Sequence, residues 1–321
     1  MNDILTKIQK IGIVPVVVID DVKDAKPVAK ALIDGGLPVA EVTFRTDAAE
    51  ESIKVMSQEY PDMLVGAGTV LTPEQVDRAV AAGAKFIVSP GFNADVVKHC
   101  LDINIPVAPG CNNPSQMEQA LALGLDVVKF FPAEQSGGIK AIKAMAAPYV
   151  NLKFMPTGGI NADNINDYLA FDKVIACGGS WMVSSKLINE GNFEKITELT
   201  REAVMKVQGF ELSHIGINCM NENEASFTAN YFERLFDFKV KEGNSSIFAG
   251  KFIEAMKTPY LGQKGHIAIS CNNIERAVSY LDDIVGMKAD MSTAKYDAKG
   301  KLKAVYLPGE IGGFAVHLVQ K

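Results

Sequence analysis

From Ile13 onward the chain alternates two kinds of segment. A short, β-branched, nearly continuous apolar run ends in Gly, Pro, Thr or Arg, and a longer stretch with helical spacing of its apolar positions follows. The runs are residues 13–19, 39–44, 64–70, 86–90, 105–109, 127–131, 154–157 and 174–177. Between the third and fourth runs Thr72 reads as a helix cap, Pro73 as the first helical residue and Gly83 as the terminator. Strands of continuous Val and Ile, each followed by a helix, indicate a parallel sheet covered on its outer face by its own crossovers. Eight such units in about 200 residues predict an α/β fold, a (β/α)8 TIM barrel. An open doubly wound sheet is the alternative, although no Gly-x-Gly-x-x-Gly turn follows the first run.

A last barrel helix is predicted over 192–207, ended by Gly209, and then the pattern changes. Ser213-His214-Ile215-Gly216-Ile217-Asn218-Cys219 matches Gly265-His266-Ile267-Ala268-Ile269-Ser270-Cys271, and the two copies end alike, 252–257 against 315–320. The expectation is a barrel over 1–209 and, over 210–321, a small α+β domain of two related β-α-β-type modules. The first module is the shorter, so a strand is expected to be missing from it.

Composition narrows the function without choosing it. The 321 residues are 48% apolar and 22% charged, as in globular proteins. A net charge of −6 gives no general attraction to nucleic acid or to anionic membranes, so an anionic substrate must be held by a local cluster. The apolar run after Ile11 contains Pro15 and stops at Asp20, short of a membrane span, and nothing before it reads as a signal peptide. The five cysteines, odd in number and never in a CxxC pair, suit reduced thiols in a cytoplasm.

Polar residues inside apolar runs carry the chemistry. Lys129 lies between Val128 and Phe130. It is either snorkelling from a strand end or held desolvated, and desolvation favours the neutral amine that attacks carbonyls. Glu41 interrupts the second run, on one face with Thr43 and Arg45. That set suits proton transfer beside an anionic substrate, or equally a structural pair between strands. Gly158-Gly159 and Gly178-Gly179-Ser180 follow the last two runs, where successive backbone amides can bind phosphate.

These residues resemble a known family. Val39-Ala40-Glu41-Val42-Thr43-Phe44-Arg45-Thr46, Val65-Gly66-Ala67-Gly68-Thr69-Val70, Ser89-Pro90-Gly91, Lys129-Phe130-Phe131-Pro132-Ala133-Glu134, Pro156-Thr157-Gly158-Gly159-Ile160 and Gly178-Gly179-Ser180-Trp181 are similar to stretches of the 2-keto-3-deoxy-6-phosphogluconate (KDPG)/4-hydroxy-2-oxoglutarate (KHG) aldolases. The resemblance implies a homotrimeric, metal-independent class I aldolase of carbohydrate metabolism, in the Entner–Doudoroff pathway. It implies a Schiff base on Lys129 and proton transfer by Glu41 through a bound water. Arg45, Thr69, Pro90, Phe131 and Thr157 would line the pyruvyl site, and Gly158, Gly159, Gly179 and Ser180 would hold phosphate. The alternatives are an aldolase for the galactonate epimer or an unphosphorylated 2-keto-3-deoxy acid, or an inert metabolite-binding barrel with a sensing C-terminal domain. A departure from the family pattern is Gly110-Cys111-Asn112-Asn113-Pro114-Ser115, where small or hydroxyl residues are usual; it bears on the distal end of the substrate.

Three of the four histidines fall in the second domain, at matched repeat positions. On each opening strand the isoleucines point one way and the histidine the other, away from the helix. His214, Glu254, His266 and His317 are therefore candidate ligands of a divalent metal. The paired modules resemble the glyoxalase/vicinal-oxygen-chelate group, which implies a metal cupped between them, with His317 standing where an acidic residue is usual. The alternative is a degenerate module for assembly or sensing.

Overall fold

The eight apolar runs become eight strands: β1 (Ile13–Val17), β2 (Val39–Thr43), β3 (Leu64–Gly68), β4 (Ile87–Val88), β5 (Val107–Ala108), β6 (Val127–Phe130), β7 (Lys153–Pro156) and β8 (Cys177–Gly179). The structure, a computed structural model, describes residues 1–321 and divides into Met1–Val207 and Gln208–Lys321. In the first unit the strands are parallel, ordered β5-β4-β3-β2-β1-β8, with β6 and β7 as a further parallel pair. Bridges from Gly110 to Lys129, from Phe154 to Val174 and from Thr157 to Gly178 close the ring. The first unit is therefore a barrel, not an open sheet. β8 lies later than the pattern placed it because the last run changes partner. Ile175 donates to Phe154 O of β7, and from Cys177 onward the backbone pairs with β1.

Helices follow as predicted. Thr72 Oγ1 accepts from the Gln75 amide and caps Pro73–Ala81, while Asn113 caps Pro114–Ala122 in the same way. The last helix, Phe193–Gln208, ends at Gly209, whose φ of 61° is the left-handed conformation that stops a helix. The strand interiors are almost uniformly buried, so a polar side chain within them lies where water is scarce. No helix is long and apolar enough to cross a membrane.

The second unit repeats one pattern. β9 (Glu211–Asn218) leads to helix Glu222–Phe236 and then to β10 (Val240–Glu242), β11 (Ser246–Ala249) and β12 (Ile253–Met256). β13 (Gly265–Cys271) leads to helix Ile274–Tyr280 and to β14 (Asp290–Tyr296), β15 (Leu302–Ile311) and β16 (Phe314–Gln320). Each module is βαβββ, so the strand expected to be missing from the first is present. That module is short because β10, β11 and β12 have only 3, 4 and 4 residues. The modules join through the antiparallel pair β9 and β13 into one eight-stranded sheet, ordered β10-β11-β12-β9-β13-β16-β15-β14. Ala225 and Ala229 pack with Cys219, Ile217 and Ala255, and Ile274 and Ala277 pack with Cys271, Ile269 and Leu318. One face of the sheet is thus covered by helices.

Candidate active site

Lys129, on β6, and Glu41, on β2, meet inside the barrel. Lys129 Nζ donates to Glu41 Oε1 at 3.2 Å, with side-chain exposures of 6% and 0%. Removing two charges from water costs several kcal/mol for each, which their mutual attraction only partly offsets. Glu41 Oε2 has no hydrogen-bond partner in the protein. The Phe131 ring centroid lies 5.3 Å from Nζ and gives the amine an aromatic wall. A primary amine, a carboxylate one hydrogen bond away and a second carboxylate oxygen left over together permit imine formation with proton transfer to and from the same place.

The rim is made by residues that follow the strands. Arg45, after β2, donates through Nε to Thr69 Oγ1 after β3, at 3.2 Å. Thr69 holds a left-handed φ of 57°, unusual for a β-branched residue and typical of functional loops. Thr157 is buried and its Oγ1 has no partner, an acceptor and donor held ready at the end of β7. Pro90 is half-buried after β4, and its carbonyl approaches Gly110 so closely that a Cβ there would lie 2.0 Å from the oxygen.

Gly158 and Gly159 adopt φ of 102° and 78°, which side-chain-bearing residues rarely adopt. The amides of Ala133 and Glu134 donate to the carbonyls of Thr157 and Gly158, at 2.8 and 3.1 Å, and Asn164 Nδ2 donates to Gly159 O at 3.1 Å. The amides of Gly158 and Gly159 make no hydrogen bond within the chain. β8 ends in buried Gly179 under Trp181, whose ring would meet a Cβ at 2.0 Å, and exposed Ser180 opens the turn that follows. Both turns lie after the C-terminal ends of neighbouring strands, where amides can receive an anion.

Sequence reasoning placed Gly178 in a phosphate-binding turn and gave Gly68 no task of its own, and missed that both lie within strands and make room. A Cβ on Gly68 would lie 2.2 Å from Glu41 Oε1, and one on Gly178 would lie 2.3 Å from Thr157 Oγ1. The signal was present in Gly66-Ala67-Gly68, since glycine is a poor strand former unless something presses against it. In the departing loop, Cys111 is buried with its thiol toward Gln116 O, and burial pushes that thiol up to about 12. It is therefore no nucleophile, and Asn113 serves as a helix cap.

In the second unit, sheet register collects the four predicted ligands on the face away from the helices. One row across the strands is Glu254, Gly216, His266 and Ala315; the next is His214, Ala268, His317 and Tyr306. Gly216 leaves the space that His266 fills: a Cβ there would lie 2.0 Å from the imidazole. His214 Nε2 and His266 Nε2 are 3.2 Å apart and each is 3.1 Å from Glu254 Oε2. His317 Nε2 is buried without a partner, and the nitrogens of the three histidines lie within 4.8 Å of one another. Burial raises the pKa of Glu254, but hydrogen bonding to His214, His266 and Ser246 outweighs it and holds the carboxyl well below its usual range. Burial, reinforced by the neighbouring imidazoles, pushes His317 down to about 3 and keeps it neutral. Ser246, which donates to Glu254 Oε1 at 2.5 Å, and Tyr306, whose ring centroid is 4.6 Å from that of His317, were not foreseen. Neither carried a motif; only strand pairing brings them here.

Comparison with known proteins addresses the first unit. The family model for KDPG and KHG aldolase matches residues 4–199. The chain is 50% identical over 203 residues to a 2-dehydro-3-deoxy-phosphogluconate aldolase of Haemophilus influenzae, covering 63% of this chain and 96% of that protein. It is 48% identical over 207 residues to the enzyme of the same name from Treponema pallidum, covering 64% and 99%. Among solved structures, the KDPG aldolase of Legionella pneumophila, with pyruvate captured as a covalent carbinolamine intermediate, aligns with a TM-score of 0.61 and 39% identity over 63% of this chain and 98% of that one.

Proposed function

Since the chain belongs to the KDPG and KHG aldolase family, we propose that Lys129 and Glu41 are the working pair of a class I aldolase. It cleaves 2-dehydro-3-deoxy-6-phosphogluconate to pyruvate and glyceraldehyde 3-phosphate, and 4-hydroxy-2-oxoglutarate to pyruvate and glyoxylate as a second activity. The neutral Lys129 amine adds to C2 of the keto acid and, with loss of water, forms an iminium. The C3–C4 bonding pair flows into that iminium as Glu41, through a water, takes the C4 hydroxyl proton. The aldehyde leaves, the enamine is reprotonated at C3, and water releases pyruvate from Lys129. The iminium is the electron sink, so the aldolase step needs no metal.

The other rim residues bind. Arg45 faces the pyruvyl carboxylate, Thr69, Pro90 and Thr157 line that end, and Phe131 packs beside the imine. Gly158, Gly159, Gly179 and Ser180 receive the phosphate. The buried Lys129–Glu41 pair, 3.2 Å apart with Glu41 Oε2 uncommitted, carries this reading. Borohydride reduction in the presence of pyruvate tests it: a reduced pyruvate adduct mapped to Lys129 is the expected product, and an unmodified Lys129 refutes the assignment. A homotrimer in the cytoplasm accords with the family resemblance and the reduced thiols.

For the second unit the reading is a divalent metal held by His214, His266, His317 and Glu254. Two observations support the fit. Ligand atoms bound at about 2.0–2.2 Å to one ion sit roughly 3.0–3.5 Å apart, which matches the 3.1 and 3.2 Å separations here. His317 supplies a neutral, unpartnered nitrogen beside them. Such an ion would act as a Lewis acid toward an oxygen ligand. Elemental analysis of protein purified without chelator, beside His266→Ala, tests it: about one equivalent of metal lost in the variant is expected, and absence of metal from both removes the site.

A further inference from the structure

Glu134 lies between the loop after β6 and the turn after β7 and takes no part in the proposed catalytic steps. Its amide donates to Gly158 O at 3.1 Å. Its stem covers Gly159, where a Cβ would lie 2.6 Å from both Cβ and Cγ of Glu134. Its carboxylate accepts a hydrogen bond from the Tyr168 hydroxyl. Tyr168 is 1% exposed and belongs to helix Ile165–Leu169, immediately downstream of the same turn. Gly138, which opens helix Gly138–Ala146, leaves the room for this meeting, since a Cβ there would lie 3.2 Å from both Glu134 Oε1 and the Tyr168 oxygen.

A carboxylate beside an anion-binding turn repels the anion unless it is held aside and partly neutralised. The phenol does both. Burial, followed by the neighbouring carboxylate, raises the pKa of Tyr168, so it keeps its proton and remains a donor. The Glu134 amide holds the Gly158 carbonyl, Ala133 and Asn164 hold those of Thr157 and Gly159, and the amides of Gly158 and Gly159 have no partner within the chain.

We propose that Glu134 and Tyr168 form a clamp that presets the Gly158–Gly159 turn, as positioning residues for the phosphate end of the substrate. The proposal rests on the reading that this turn receives phosphate.

Three variants test it: Glu134→Ala, Tyr168→Phe and the conservative Glu134→Gln, which keeps the stem and an oxygen that accepts from the phenol. The readouts are KM and kcat for the phosphorylated keto acid, Ki for inorganic phosphate as competitor, and the rate at which borohydride traps pyruvate, which has no phosphate. Loss of one hydrogen bond to a charged group predicts KM and Ki rising together about 10- to 150-fold in the Ala and Phe variants. Glu134→Gln should stay near the unaltered enzyme, and kcat and pyruvate trapping should be unchanged in all three. Equal Ki values in the Ala and Phe variants and the unaltered enzyme overturn the clamp while leaving the phosphate site standing. If phosphate does not compete on the unaltered enzyme, the phosphate reading falls and the clamp falls with it. A loss of pyruvate trapping in step with KM overturns the clamp by showing a general structural role.

Discussion

Gly68 and Glu41 leave no room for a methyl group between them: a Cβ on Gly68 would lie 2.2 Å from Glu41 Oε1 and 2.6 Å from its Cγ. They sit on adjacent strands, with Gly66 in direct register with Glu41 and Gly68 with Thr43. The position of the carboxylate is therefore set by the absence of a side chain next door. Gly68→Ala is expected to push Glu41 away from Lys129 and to cost about 1–3 kcal/mol of stability through overpacking. Thermal melts and single-turnover cleavage measure the two effects; an unchanged cleavage rate in the folded variant would show that the placement of Glu41 does not matter.

The two members of the pair should fail differently. Lys129→Met removes the proposed nucleophile and is expected to abolish both turnover and borohydride-trapped pyruvate. Glu41→Gln keeps the amine and the shape but cannot take the C4 proton, so kcat should fall by about 10²–10⁴. Slow capture of pyruvate by Lys129 should persist. Retained turnover in Lys129→Met, read by coupled pyruvate assay, sinks the mechanism.

The aldolase reaction should not depend on the second unit. Relatives align over nearly their whole length with the first unit alone, as in the 96% coverage of the Haemophilus influenzae protein. A chain ending at Gly209, just past the last barrel helix, is expected to fold and to keep kcat/KM within about threefold of the full protein. A large loss on truncation would assign the second unit a part in the reaction.

Metal should stabilise the second unit only. A ligand that binds the folded state at 100 times its Kd adds about 2.7 kcal/mol to stability. Chelation should lower the melting transition of the second unit, and zinc or another divalent ion should restore it, while KDPG cleavage continues. A melting curve insensitive to chelator and to added metal contradicts the site.

All five cysteines are buried, and burial pushes the thiols of Cys100, Cys111 and Cys271 up to about 12. A raised pKa leaves the thiolate nearly absent at pH 8, and the reactive form appears only as pH approaches that value. The folded protein should therefore resist alkylation at pH 8 and take up five equivalents after denaturation. Rapid labelling of Cys111 in the folded state would place a reactive thiol beside Lys129 and require a revised account.

The amino-acid order by itself determined eight strand–helix units of a parallel α/β fold, because strands buried on both faces leave runs of Val and Ile, and Lys129 and Glu41 stand out as charges in such runs; the closing of the ring was decided by the tertiary structure. The order determined the repeat too, and with it the matched histidines. Only the tertiary structure decided that Lys129 and Glu41, 88 residues apart, share a hydrogen bond, and that Gly68 and Gly178 exist to admit Glu41 and Thr157. It alone supplied the missing strand, brought Ser246 and Tyr306 to the histidine face, and set Tyr168 against Glu134. The physical reason is that burial leaves its mark locally, in hydropathy and spacing, whereas complementarity depends on which strands become neighbours and in what register, and that is settled only when the ring and the sheet close.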